Sequence, residues 1–291
     1  MMARKDCSVS TFAYIDRPLI EAVHLLAAAG WKQLEIMCEG RHGELLAWPE
    51  ERLAELERTG RDLGICWSIH SPITGCNPAA DDWEEAERSE RMLLDTLRVA
   101  ERLDCRCVVL HTGSGAGGWK EYEDGAASVS EHDKQKEEAA KHRIIEFLVG
   151  VLERTADSDI VIALENVPPY PGLYGVEVAF LREIVDKLDS PRVGIVFDAG
   201  HAHMTGGGRC LLMLQQATPR LVALHLSDNA GQADEHLALG AGTVPLEAMV
   251  AWLAACEYRG SWVLEMRSPE AVQPSADRLH SLRRQFAGRL K

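Results

Sequence analysis

Eight apolar runs of strand length alternate with longer segments of helical period, and no other feature restricts the fold of this chain as strongly. The runs lie near residues 7–13, 32–38, 65–70, 106–111, 160–165, 193–198, 221–226 and 261–265. Helical patterns such as "PLIEAVHLLAAAG", "DWEEAERSERMLLDTLRVAERLD" and "PLEAMVAWLAACEYRG" separate them, several with Pro near the start and Gly at the end. A closed (β/α)8 barrel and an open doubly wound sheet both alternate in this way. The strand pleat separates the two. Counting back by twos from the polar residue that ends each run gives Ser68 and Cys66 before His70, Ala163 before Glu165, Gly194 before Asp198, and Ala223 before His225. The opposite phase carries Trp67, Ile69, Ile162, Leu164, Ile195, Phe197, Val222 and Leu224. Small residues on the polar face and bulky ones on the other suit a narrow lumen inside a ring of apolar helices. The expected fold class is therefore α/β, a single (β/α)8 TIM barrel.

Such barrels take about 250 residues, so one domain covering residues 1–291 accommodates the whole sequence. Hydrophobic residues make up 46% of it, yet no stretch approaches the roughly 18 apolar residues that a membrane span needs. The opening "MMARKDCSVSTFAY" shows no apolar core or small-residue cleavage site of a signal peptide. Eight scattered cysteines suit reduced thiols, and the expected location is cytoplasmic. Net charge is −14, and the most basic run, "RLHSLRR", fits the solvated face of a last helix. Without a basic stripe, neither nucleic acid nor a membrane is expected as a partner, whereas a homo-oligomer remains open.

Six consecutive runs finish on a potential metal ligand: His70, His111, Glu165, Asp198, His225 and Glu265. All six share one pleat phase, and in a barrel they converge on the C-terminal face. His201 follows Asp198 by three residues, and Asp234 and His236 form a D-x-H pair in the loop after the seventh run. Carboxylates mixed with imidazoles suit Mn, Zn or Fe rather than Ca. His203 reads as packing or as support for the ligands, and His24, His42, His132, His142 and His280 as helix or surface-loop residues. The stretch "GSGAGG" contains GxGxxG at Gly113, Gly115 and Gly118, but "WKEYEDGAAS" follows where a dinucleotide site needs a helix. It reads as a flexible loop running to about residue 131 over the active face. "GGGR", 206–209, reads as a turn before a helix, with admission of a substrate phosphate as the other option.

The succession "HSP", "LHTG", "LENV", "FDAGH", "HLSDN", "DEHLALGAG" and "YRGSWVLE" resembles the xylose isomerase-like TIM-barrel superfamily over nearly the whole chain. That superfamily holds sugar isomerases and epimerases together with abasic-site nucleases of the endonuclease IV type. In the isomerase branch the resemblance implies one divalent ion held by Glu165, Asp198, His225 and Glu265. In the nuclease branch it implies three zinc ions, with His70, His111, His201, Asp234 and His236 as added ligands. All nine residues are present.

Charge separates the two chemistries. The nine positions include four carboxylates, so one divalent ion leaves about −2 and three leave about +2 with neutral imidazoles. A negative cluster suits a neutral polyol and leaves carboxylates free as bases; a positive one suits a phosphodiester. In the isomerase reading Glu165 and Glu265 move protons through an enediolate while His201 orients a substrate hydroxyl or adds a ligand. The acidic composition favours a sugar or sugar-phosphate isomerase or epimerase dependent on Mn2+ or Zn2+, one to three ions per chain. A multi-zinc phosphoesterase is the alternative, and a non-catalytic metal- or sugar-binding barrel a third.

Overall fold

The computed structural model describes residues 7–115 and 131–287, so most of the polar loop after the fourth strand, Gly118 and His132's side chain lie outside the described residues. Eight parallel strands close on themselves in chain order. They are β1 Ser8–Ser10, β2 Gln33–Met37, β3 Cys66–His70, β4 Cys107–His111, β5 Val161–Glu165, β6 Val193–Asp198, β7 Leu221–Leu226 and β8 Ser261–Leu264. The surrounding helices are α1 Leu19–Ala28, α2 Glu50–Leu63, α3 Trp83–Arg102, α4 Glu131–Arg154, α5 Val178–Leu188, α6 Ala199–Met204, α7 Arg209–Ala217, α8 Leu246–Ala255 and α9 Pro269–Ala287. The architecture is a single (β/α)8 TIM barrel, with the two helices α6 and α7 between β6 and β7.

Local chemistry sets the helix ends. Asp82 caps α3 by accepting the Glu85 N–H at 2.9 Å, and Gly64 ends α2 at φ +63, a left-handed conformation that glycine adopts without Cβ strain. Gly206, Gly207 and Gly208 all have positive φ and form the turn that opens α7. The expected first strand, 7–13, is shorter than its apolar run. Ser10 accepts the Phe12 N–H at 3.2 Å and turns the chain into a 3-10 helix, Thr11–Tyr14.

The pleat divides the interior as expected. Val109, Ala163, Val196 and Ala223 form a small cluster of their own in the lumen, apart from the large core between strands and helices. Val222 departs from strict alternation. The register of β6 against β7 shifts between Ile195 and Val196, and Val222 packs on the lumen cluster, its Cγ2 only 2.2 Å from where a Cβ on Gly194 would stand. Gly194 is therefore a close-approach glycine as well as a small lumen residue. No helix among the described residues is long and apolar enough to cross a membrane.

Candidate metal centre

The barrel brings all nine predicted residues into one pocket at the C-terminal ends of its strands. His70, Glu165, Asp198, His225 and Glu265 are buried and His111 is partly exposed. Glu165 lies at the centre. Its Oε2 stands 3.0 Å from His70 Nε2 and 3.1 Å from His111 Nε2, and its Oε1 stands 2.8 Å from His225 Nδ1. Burial alone would raise its pKa, but the charge of His225 and hydrogen bonds from His111, His225 and His70 hold it well below the usual carboxylate range.

The D-x-x-H spacing of the sixth strand is a helix cap. Asp198 ends β6, and its Oδ1 accepts the His201 N–H at 2.6 Å to start α6. The cap places the His201 ring over the pocket and leaves Asp198 Oδ2 buried without a hydrogen-bond partner. Gly200 lies between them because a Cβ there would come within 2.8 Å of Ser227 Oγ. His201 Nε2 then reaches Asp234 Oδ2 at 3.2 Å, and His236 Nε2 reaches the same oxygen at 3.0 Å. Burial works against charging His236, yet the bond to Asp234 and the nearby carboxylates raise its pKa to about 9.

Three groups of potential ligand atoms result: His70, Glu165 and His225; Glu165, Asp198, His225 and Glu265; and His201, Asp234 and His236. His111 joins the first through its contact with Glu165 Oε2. The ring orientations suit metal ligation. Nδ1 of His70, His201 and His236 lies 2.7, 2.8 and 2.9 Å from the carbonyls of Ser71, Asn166 and Glu265. A carbonyl can only accept, so each Nδ1 carries its proton. In a neutral ring Nε2 then presents a lone pair, and it faces a carboxylate oxygen, which is also a lone pair. Only a proton or a metal cation between them makes such a contact favourable. Three carboxylate oxygens of the ligand groups, Asp198 Oδ2, Asp234 Oδ1 and Glu265 Oε1, are buried with no hydrogen-bond partner. The residues fit divalent ions on both counts.

Several supporting residues were not singled out from sequence. Asn166 donates Nδ2–H to the Asp198 carbonyl at 3.0 Å and accepts the Asp198 N–H at 2.8 Å, clamping β5 to β6. Asp228 accepts the N–H groups of Asn229, Gly240 and Val244 and so shapes the loop that carries Asp234 and His236. Glu35, completely buried on β2, has Oε1 3.0 Å from His225 Nε2, an ion-pair contact in which neither atom has a hydrogen-bond partner. Its signal was legible: a carboxylate between Leu34 and Ile36 in an apolar strand. His236 itself sits at φ +47, a left-handed conformation rare for a residue with a side chain.

Among the remaining histidines, His203 Nε2 bonds Thr243 Oγ1 at 2.8 Å. His24 and His142 are exposed. His42 is not a surface residue as expected. It is fully buried, because the 3-10 turn that carries it folds under the top of β1, with Nδ1 3.0 Å from Thr11 Oγ1 and Nε2 3.1 Å from the Arg17 carbonyl. None of the eight cysteines forms a disulfide, and six of them are buried.

The barrel has known counterparts. The chain belongs to the xylose isomerase-like TIM barrel family, whose sequence model matches residues 23–285. An uncharacterized protein of Methanocaldococcus jannaschii is 28% identical over 261 residues, 89% of this chain and 83% of that protein. A probable endonuclease 4 of Methanoculleus marisnigri is 29% identical over 208 residues, 70% of this chain and 66% of that one. Among solved structures, a D-tagatose 3-epimerase-like protein superposes with a TM-score of 0.83 at 23% identity, covering 98% of this chain and 100% of its own. A Thermus thermophilus protein soaked with zinc chloride gives a TM-score of 0.69 at 22% identity, covering 96% and 98%. At these identities the structural likeness is one of fold.

Proposed function

We propose that the protein is a multi-metal hydrolase of small phosphate esters or diesters, its residues 1–291 working as one domain. The observation that carries this reading is the position of Glu165 between two ligand groups, with one oxygen facing His70 and His111 and the other facing His225. Glu165, His70 and His111 would hold one ion; Glu165, Asp198, His225 and Glu265 a second; His201, Asp234 and His236 a third. Divalent ions bound there supply Lewis acidity toward a phosphoryl oxygen and make water a competent nucleophile at neutral pH.

Charge supports the same reading. Glu35 adds a fifth carboxylate to the four of the ligand set, so with neutral imidazoles −5 becomes −3 with one ion and +1 with three. A net −3 in a buried pocket is costly, and +1 attracts an anionic ester. Glu165 is also poorly placed as a general base, since its two oxygens are committed to the two ligand groups it stands between. The chain's net charge of −14 argues for a small substrate over duplex DNA.

The sugar isomerase or epimerase reading keeps one observation in its favour. Glu265 Oε1 is buried, unpartnered and free to take a proton from carbon. One experiment separates the readings. Protein purified without chelator is assayed for ions per chain, for release from a panel of phosphate monoesters and diesters, and for deuterium exchange into ketoses and their phosphates in heavy water. More than one ion with ester cleavage is the expected result. A single ion with carbon-bound deuterium and no cleavage would replace the hydrolase with an isomerase.

A further inference from the structure

We infer that Glu35 is a positioning residue that sets the tautomer of His225: the negative charge of its carboxylate keeps the ring proton on Nε2 and leaves the Nδ1 lone pair facing Glu165, Asp198 and Glu265. The inference rests on reading the pocket as a metal centre. His225 is reversed relative to its neighbours. His70, His201 and His236 anchor Nδ1 on backbone carbonyls and turn Nε2 inward. In His225 it is Nδ1 that faces the ligand group, 2.8 Å from Glu165 Oε1 and 3.5 Å from Glu265 Oε2, while Nε2 lies 3.0 Å from Glu35 Oε1.

Down the lumen from His225, carbonyls are taken up by the strand ladders, and the side chains include Val109, Ala163, Val196 and Ala223. Glu35 Oε1 is the carboxylate oxygen beside Nε2 there, in ion-pair contact without hydrogen-bond alignment, and neither atom has a hydrogen-bond partner. Its other oxygen, Oε2, accepts from Ser68 Oγ at 3.0 Å, and the β2–β3 register pairs Glu35 with Ser68 directly. The carboxylate is thus held at one oxygen, with the other against the imidazole and unpartnered. An anion beside Nε2–H favours the proton there and makes Nδ1 a more basic ligand atom than a neutral carbonyl would. A completely buried carboxylate among apolar residues lowers the stability of the empty fold. That sign separates a positioning role from a packing one.

Glu35→Gln keeps the volume and the Ser68 contact but removes the charge, and Glu35→Ala removes the side-chain oxygens as well. Metal-free protein is titrated with Zn2+ against a chromophoric chelator, its melting is followed without metal, and the His225 ring nitrogens are read from two-bond 15N–1H spectra, assigned with His225→Gln. Glu35→Gln is expected to weaken the affected site roughly 10- to 100-fold, with metal-free melting unchanged or higher. In Glu35→Ala the single Nε2–H tautomer of His225 should become a mixture. If Glu35→Ala does not fold, Glu35→Gln carries the test. Zinc affinity equal to wild type in a folded variant, with only the melting temperature moved, overturns the inference while leaving the metal centre standing. Absence of zinc binding by the wild type overturns the metal centre and the role of Glu35 with it.

Discussion

His236 donates its Nδ1–H to the main-chain carbonyl of Glu265 at 2.9 Å, and this bond ties the loop after β7 to the end of β8. The Arg267 N–H returns the contact by donating to the His236 carbonyl at 3.2 Å. Held from both sides, His236 keeps its φ of +47 and presents Nε2 to Asp234 and the pocket. The third ligand group is thus pinned to the barrel by backbone contacts at the strand that supplies Glu265.

Removing one member of that group should cost one ion and little else. In His236→Ala and in Asp234→Asn, elemental analysis is expected to return one divalent ion fewer per chain than wild type, with unchanged circular dichroism. An unchanged count would exclude His201, Asp234 and His236 as a separate site. In the same way His111→Ala should lower the count if Glu165 serves two ions.

Asp228 should be worth more to stability than its exposure-free, ligand-free position suggests. Its carboxylate accepts N–H groups from Asn229 and Val244 at 3.0 Å and from Gly240 at 2.7 Å. Asp228→Ala leaves three buried or part-buried donors unpaired, so urea denaturation is expected to show a loss of about 3 kcal/mol or more. Metal occupancy at His236 should fall in parallel.

Gly113→Ala tests why a glycine follows the fourth strand. An added Cβ would stand 2.0 Å from Asn77 Oδ1, which accepts the N–H groups of Ser114 and Ala79, and the residue has φ +93. The variant is expected to lose about 2 to 4 kcal/mol through backbone strain and broken bonds, read from its denaturant midpoint. A neutral result would show that the Asn77 turn yields freely.

His42 should make the fold acid-sensitive. Burial lowers its pKa to about 4 from 6.5, against the opposing bonds to backbone carbonyls, and Arg41 adds to the lowering. A folded-state pKa below the unfolded one means that the unfolded chain binds the extra proton. The contribution of His42 is then fully present above pH 6.5 and fades as pH falls toward 4. Between pH 7.5 and 5, wild type is expected to lose about 2 kcal/mol more than His42→Gln. Parallel pH profiles for the two proteins would rule out the coupling.

The amino-acid order by itself determined the barrel and the members of its pocket. Eight apolar runs in alternation with helical segments leave few architectures, and one shared pleat phase puts His70, His111, Glu165, Asp198, His225 and Glu265 at the same end, because side-chain direction along a strand has a period of two. His201 was legible from its three-residue spacing after Asp198, and the structure added the cap of Asp198 on its N–H. Tertiary structure decided what periodicity cannot carry. The register between strands set Glu35 against Ser68 and beneath His225, and a shift of one residue between β6 and β7 turned Val222 toward the lumen. Ring orientation was decided the same way: whether Nδ1 or Nε2 faces the pocket depends on which backbone carbonyl or carboxylate lies behind each imidazole. Those partners come from other strands and loops, such as Asn166 for His201 and Glu265 for His236, and their distance is a property of the closed barrel.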